Sequence, residues 1–245
     1  MKNAERLDPT ETEGSAACDF LFTDLQILCI GLDFERQAHS EGFRFIAGVD
    51  EVGRGCLAGP VVAAACILDL DKVLPENIDD SKKLTPQVRE EIAHQLKAEC
   101  VAYAIGQVEA DEIDRINILE ATKKAMLLAI EALQPAADFL LVDALQLKHS
   151  PLPQRPIIKG DSLSASIAAA SILAKTYRDD LMARYDEVYP GYGFAGHKGY
   201  AAASHYEAIH KQGACDLHRK SFKGVMPDTD ETLSLFDIPC RPQGG

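Results

Sequence analysis

No apolar run in this 245-residue chain is longer than the eight residues 61–68. A bilayer-spanning helix needs roughly 20, so no membrane segment is expected. The first 22 residues offer no apolar stretch either. They carry acidic residues where an export signal would be hydrophobic, and a cytoplasmic protein is the expectation. Seven cysteines form no CxxC pair and no repeated spacing, which leaves no zinc site and no disulfide framework to propose. Cys56 and Cys66 fall in apolar surroundings and read as small core hydrophobes. Positive charge is scarce: 25 Lys and Arg face 38 Asp and Glu, a net charge of −13 that argues at first against a nucleic-acid partner. Its distribution weakens that objection. Residues 1–43 hold three basic against nine acidic residues and residues 225–245 one against four, so nine of the thirteen excess negatives lie at the two ends. The stretch KQGACDLHRKSFK (211–223) is locally basic, and its simplest reading is a solvated charged face.

The length suits one main core, and no internal repeat is present. Residues 1–43 read as an acidic arm followed by a short amphipathic helix, 44–224 as the folded domain, and 225–245 as a tail. Within the domain, RFIAGVD, PVVAAACIL and VAYAIGQV read as strands. Thr85 as N-cap and Pro86 at the first helical position then open a helix between the second and third strands. A helix over 118–133, the strand FLLVD, a short strand in RPIIKG, a long Ala- and Ser-rich helix over 162–189 and a last helix closed by Gly213 complete the order. Strands cluster first and then alternate with helices, which predicts an α/β fold with a mixed sheet.

Two strands end in acids: RFIAGVD delivers Asp50, followed by Glu51, and FLLVD delivers Asp143. Asp161 follows IIKG at the opening of the long helix, where a plain N-cap is the competing explanation. The acidic pair at 50 and 51 could equally serve only a turn. Together the four carboxylates, without His or Cys partners, match the oxygen ligands that Mg²⁺ or Mn²⁺ prefers. Two such ions can activate a water and stabilise a leaving oxygen at phosphorus. Adjacent strand residues point to opposite faces, so Asp50 and Glu51 share a site only if the strand ends or bulges there. The turn Gly53-Arg54-Gly55 lets backbone approach a ligand while Arg54 reaches oxygens. No GxxxxGK[ST] run supports a nucleotide-binding loop. GDSL at 160–163 spells a serine-esterase signature with Ser162 as nucleophile, but it sits two-thirds along the chain and lacks a suitably spaced Asp-x-x-His. A binding module with a degenerate site, or another nuclease of the same superfold, are further alternatives.

IAGVDEVGRGCLAGPVVAAACIL resembles the opening of the bacterial ribonuclease HII family. The likeness continues in order through DSKKLTPQVREE, LLVDAL, KGDSLSASIAAASILAKTYRDDLM, YPGYGFAGHKGYAAASHYEAI and HRKSF. It implies a ribonuclease H-like fold, a mixed five-stranded sheet flanked by helices, with residues 44–224 as the type 2 catalytic domain. It implies Asp50, Glu51, Asp143 and Asp161 as metal-binding and catalytic acids, acting on RNA–DNA hybrids and ribonucleotide-containing DNA duplexes. By the same likeness Gly53, Arg54 and Gly55 read the ribose 2′-hydroxyl, and Tyr200 packs on the next sugar at an RNA–DNA junction. Ser81, Lys82, Lys83, His197 and Lys198 would contact phosphates. Cys56 stands where the family pattern would have proline, a difference of loop stiffness rather than chemistry. TLSLFD, from Thr232 to Asp237, resembles a QLSLF sliding-clamp docking peptide with Thr232 in place of glutamine; folding back onto the domain is its alternative. No heptad or apolar seam argues against a monomer.

Overall fold

The computed structural model describes residues 30–75, 78, 81 and 84–227. Lys82, Lys83 and the peptide from Thr232 to Asp237 lie outside the described residues. Five strands, β1 Ile46–Val52, β2 Val61–Ile67, β3 Ala102–Val108, β4 Phe139–Asp143 and β5 Gln154–Ile157, form one sheet in the order β3-β2-β1-β4-β5. The first three pair antiparallel, whereas β4 pairs parallel with both β1 and β5. The expected mixed five-stranded sheet is therefore present. Its helices are α1 Asp33–Ser40, α2 Pro86–Glu99, α3 Ala110–Ile116, α4 Ile118–Glu131, α5 Ala165–Val188, α6 Phe194–His197 and α7 Ala203–Gln212.

Period-two alternation along β2 assigns the two layers. Val61, Ala63, Ala65 and Ile67 pack with Ala121, Ala125, Met126 and Ala129 of α4. Val62, Ala64 and Cys66 pack with α2 and with Ala169, Ala170 and Leu173 of α5. Every residue of β2 is buried, so the strand reads as a continuous apolar run rather than an alternating one. The alanines bring the helices close, and at β1 the approach is closer still: a Cβ on Gly48 would lie 2.0 Å from the Ser166 carbonyl carbon. Only glycine lets the start of α5 lie against the middle of β1.

The caps explain where the helices begin. Thr85 accepts a hydrogen bond from the Val88 N–H with Pro86 inside the first turn, as expected. Asn117 accepts from Leu119 and Glu120 at the head of α4. At α5 the cap is Ser164, which accepts from the Ile167 N–H, and Asp161 sits three residues earlier in a 3-10 turn, Gly160–Ser162. The helix thus opens later than the sequence suggested, and the capping role considered for Asp161 belongs to Ser164. α1 is tied to this same point. Its buried Glu35 accepts from the Ser164 hydroxyl at 2.6 Å and from the Ser166 N–H and hydroxyl at 2.9 and 2.6 Å. A carboxylate there also complements the positive end of the 24-residue helix. Among the described residues, no helix is long and apolar enough to cross a membrane. Cys56 and Cys66 are buried and free, as their apolar setting predicted.

Candidate active site

The β1–β2 ladder runs without interruption through Asp50, Glu51 and Val52, whereas the parallel ladder between β1 and β4 stops at Val49 and Val142. Asp50 and Glu51 are therefore not on a bulge. They stand where the strand edge toward β4 opens, at the carboxyl ends of two parallel strands, the usual crevice of such sheets. Asp50 is buried at 5% exposure, and its carboxyl is held well above the usual range, first by burial, then by the charges of Glu51 and Asp143. Burial also raises Glu51, with Asp143 adding to the shift and Arg54 opposing it. Both members of the adjacent pair thus lie in the field of Asp143, despite the alternation of their side chains.

Asp143 Oδ1 accepts the Gly160 N–H at 2.7 Å, which fastens the end of β4 to the residue preceding Asp161. Asp161 is itself buried and accepts from the Ser162 hydroxyl at 3.4 Å. That contact turns Ser162 toward an acid. His218, of the run DLH (216–218) that falls short of an Asp-x-x-His, is engaged with His205 and Cys215, so it forms no pair with Ser162. Among the described residues, no three His, Cys, Asp or Glu side chains already stand in metal-holding geometry. The donor chemistry nevertheless fits a hard divalent cation: every candidate ligand is a carboxylate, and a cation would relieve the burial and repulsion that lift Asp50 and Glu51.

Ser81 does not face solvent. It is buried, hydrogen-bonds Ser171 of α5 at 2.9 Å, and Ser171 in turn supports Asp50. The Ser81 hydroxyl is thus engaged in a supporting link toward the acid.

The turn after β1 is clamped from below. Gly53 has φ 88°, and a Cβ there would meet the Arg178 Nε at 2.3 Å. Arg178 is fully buried and donates to the carbonyls of Pro60, Ala58 and Lys198 at 3.0, 3.0 and 2.8 Å. Arg219, equally buried, donates to Gly59 and Arg54 carbonyls. Burial lowers its pKa to about 10. These two guanidiniums fix the segment 53–60 with backbone acceptors alone. Arg54 is left with its side chain 44% exposed, its guanidinium 3.0 Å from Glu51. Gly55 has open space beside it.

Tyr200 stands beside this turn, 40% exposed, with Lys175 Nζ 5.5 Å and Arg178 Cζ 5.9 Å from its ring centre. Burial raises its phenol, and the Cys56 thiol adds to the shift. Cys56 also reaches the Lys198 carbonyl at 3.8 Å, so the residue that departs from the family pattern lies against the Tyr200 segment. Lys198 takes a left-handed conformation, φ 52°, and its amine donates to the Asp179 carbonyl. His197 is not available to a phosphate. Its Nε2 is bonded to the Tyr192 carbonyl at 2.8 Å and its Nδ1 accepts the Gly199 N–H at 3.1 Å. A ring nitrogen that accepts an N–H carries no proton, so the imidazole is neutral and both nitrogens are spent.

His205 and His218 lie buried beneath Tyr200 with their Nε2 atoms 3.1 Å apart. Burial, with the neighbouring His205, lowers His218 from 6.5 to about 4. As pH falls below 6.5 the unfolded chain takes up this proton first, so stability is lost from this group between 6.5 and about 4. Asp50 has the opposite sign, since its raised pKa lets the folded state take up a proton first. Imidazole resonances separate the two effects. The His218 signal should stay at its neutral position from pH 7 to 5, and an inflection near 6.5 would contradict the burial.

Comparison with known proteins bears directly on this geometry. The family model for ribonuclease HII matches residues 47–225. A ribonuclease HII of Chlamydia caviae is 57% identical over 193 residues, covering 78% of this chain and 90% of that protein. One from Syntrophomonas wolfei is 51% identical over 192 residues, covering 78% and 75%. Among solved structures, the PCNA:RNase HII complex from Archaeoglobus fulgidus superposes with a TM-score of 0.64 at 27% identity, covering 74% of this chain and 95% of that one.

Proposed function

The chain belongs to the ribonuclease HII family, and from that premise we propose that it hydrolyses the RNA strand of RNA–DNA hybrids and incises DNA duplexes 5′ to single embedded ribonucleotides. One observation carries the reading: Asp50 and Glu51 share the field of Asp143 at the open ends of β1 and β4, beside an exposed Arg54 and Tyr200. Asp50, Glu51, Asp143 and Asp161 would hold Mg²⁺ or Mn²⁺, two ions in the substrate complex. When bound there, such ions would supply an activated water and charge neutralisation at phosphorus, the chemistry that leaves 3′-hydroxyl and 5′-phosphate ends.

The chain's own residues set what is cut. Gly55 and the backbone of the clamped turn leave room for a ribose, and Arg54 offers donors to its 2′-hydroxyl. Tyr200 presents an apolar face to the neighbouring sugar. Lys198, with Lys82 and Lys83 outside the described residues, contributes phosphate contacts that hold any duplex without reading it. A panel of three duplexes tests the reading: all-DNA, DNA with one ribonucleotide, and RNA–DNA hybrid, each with divalent metal or chelator. Cutting of the last two in metal only is expected, and equal cutting of all-DNA would remove it.

A partner is proposed at the tail. The relative solved as a PCNA:RNase HII complex supports docking to a sliding clamp, and the peptide from Thr232 to Asp237 is the segment proposed for it on its likeness to QLSLF. Failure of a peptide covering residues 230–238 to bind the organism's clamp at high micromolar concentration would end that idea.

A further inference from the structure

The hydrogen bonds of the buried histidines order their protons in only one way. The Cys215 N–H donates to His218 Nδ1 at 3.0 Å, so that nitrogen carries a lone pair and the proton sits on Nε2. His218 Nε2–H then faces His205 Nε2 at 3.1 Å, which must accept. The remaining proton of His205 is on Nδ1, and it is donated to the Tyr200 carbonyl at 2.9 Å. His197 lies stacked on His205, centroids 4.2 Å apart and planes within 16°, while its Nδ1 takes the Gly199 N–H. Three neutral imidazoles thus hold two successive backbone groups, the Gly199 N–H and the Tyr200 carbonyl.

Their surroundings favour that state. Phe194 meets His205 edge-on, Tyr192 tilts against His218 with ring centres 5.0 Å apart, and the Cys215 thiol lies 3.1 Å from His218 Nδ1. His218 also bridges to Ala58, at the end of the clamped turn. Of the charged neighbours, Arg219 turns its guanidinium to the Gly59 and Arg54 carbonyls, Arg178 turns to Lys198, and Asp216 adjoins Cys215. Among the described residues, the hydrogen bonds of both rings run to imidazole, backbone and thiol, none to a carboxylate. A second proton on His205, at Nε2, would face the His218 N–H across the 3.1 Å contact, and one on His218, at Nδ1, would face the Cys215 N–H at 3.0 Å.

We propose that His218 and His205 form a proton-ordered relay that positions Tyr200 for selection of a single ribonucleotide, joining that residue's backbone to the turn that carries Arg54. They are positioning residues, since neither reaches solvent or the acids. The inference rests on the reading of Tyr200 as the contact at an RNA–DNA junction.

The test compares two variants of the full-length protein. In His205→Asn the side-chain amide can still donate to the Tyr200 carbonyl; in His205→Gln it reaches the His218 side and cannot. The readout is kcat/KM on a duplex with one ribonucleotide divided by kcat/KM on a long hybrid, a ratio from which general losses at the acids cancel. His205→Gln should lower the ratio about tenfold, the scale of one lost buried hydrogen bond, and His205→Asn should keep it within about twofold. Equal ratios in the two variants would overturn the relay. Should His205→Gln not fold, His218→Gln, which keeps a donor toward His205, is compared with His218→Leu, which does not. A fall confined to the leucine variant supports the relay, and equal ratios overturn it. Tyr200→Ala separates the two levels: an unchanged ratio there defeats the Tyr200 reading itself, whereas a fall there without one in His205→Gln defeats the relay alone.

Discussion

Asp50→Asn and Asp143→Asn should each lose hydrolysis by about 10³-fold or more, while melting no lower than the unaltered protein in chelator. The activity loss follows from the proposed role as direct ligands, since outer partners of a metal site are worth only about 10- to 100-fold. The stability expectation follows from the site itself. Asp50 is buried with a raised pKa, so the stability tied to its proton is fully present below 3.8 and is lost as pH rises through the folded value. Ionising Asp50 is therefore unfavourable in the metal-free fold, and the neutral amide removes that penalty. An asparagine oxygen can still accept from the Glu51 N–H at position 50 and from the Gly160 N–H at position 143, where the carboxylates accept at 2.7 Å. Initial rates in magnesium and calorimetric melts in chelator check the two halves separately. Near-normal turnover in either variant would remove that acid from the site.

Arg178→Ala should cost about 3–5 kcal/mol, because the buried carbonyls of Ala58 and Pro60 and the part-buried one of Lys198 lose their donors and one of the two largest fully buried side chains among the described residues becomes a cavity. For a domain of this size that corresponds to a melting temperature lower by roughly 10 °C. Arg178→Lys, which satisfies fewer of the three acceptors, should fall between. The loss should extend to function, because this guanidinium joins the segment 53–60 to the Lys198 carbonyl two residues before Tyr200. A melt of Arg178→Ala within about 2 °C of the unaltered protein would show that the clamp contributes little.

Much of this was legible in residue order. The apolar runs ending in Asp50 and Asp143 are strands, Thr85 and Pro86 do start a helix, and the cluster of strands before the alternating part became the antiparallel half of the mixed sheet. These features are local, and local pattern determines them. α3 and α6 were missed because seven and four residues are too few to display a helical period. The basic segment 211–223 illustrates a different limit. Lys211, Lys220 and Lys223 are exposed as a charged face should be, but Leu217, His218 and Arg219 between them are buried. Composition cannot reveal that a guanidinium will be satisfied by carbonyls more than 150 positions away.

Ser81 and His197 show the same limit at the site. A serine and a histidine are credible phosphate ligands by type, and only the fold shows that Ser171, Tyr192 and Gly199 already occupy them. Their motifs, DSKKL and HKGY, do not distinguish a side chain that meets substrate from one that holds its neighbour. The acids differ in kind, because buried carboxylates at adjoining strand ends repel, an arrangement with few structural uses.

The most direct test of the central reading is cleavage of a DNA duplex carrying one ribonucleotide, with both product ends mapped. With magnesium or manganese, incision should fall on the 5′ side of the ribonucleotide, leaving a 3′-hydroxyl upstream and a 5′-phosphate on the ribonucleotide, and chelation should abolish it. A 2′,3′-cyclic phosphate product, or cleavage that persists in chelator, would mean that the 2′-hydroxyl is the nucleophile and that the four carboxylates do not serve a metal-assisted hydrolysis.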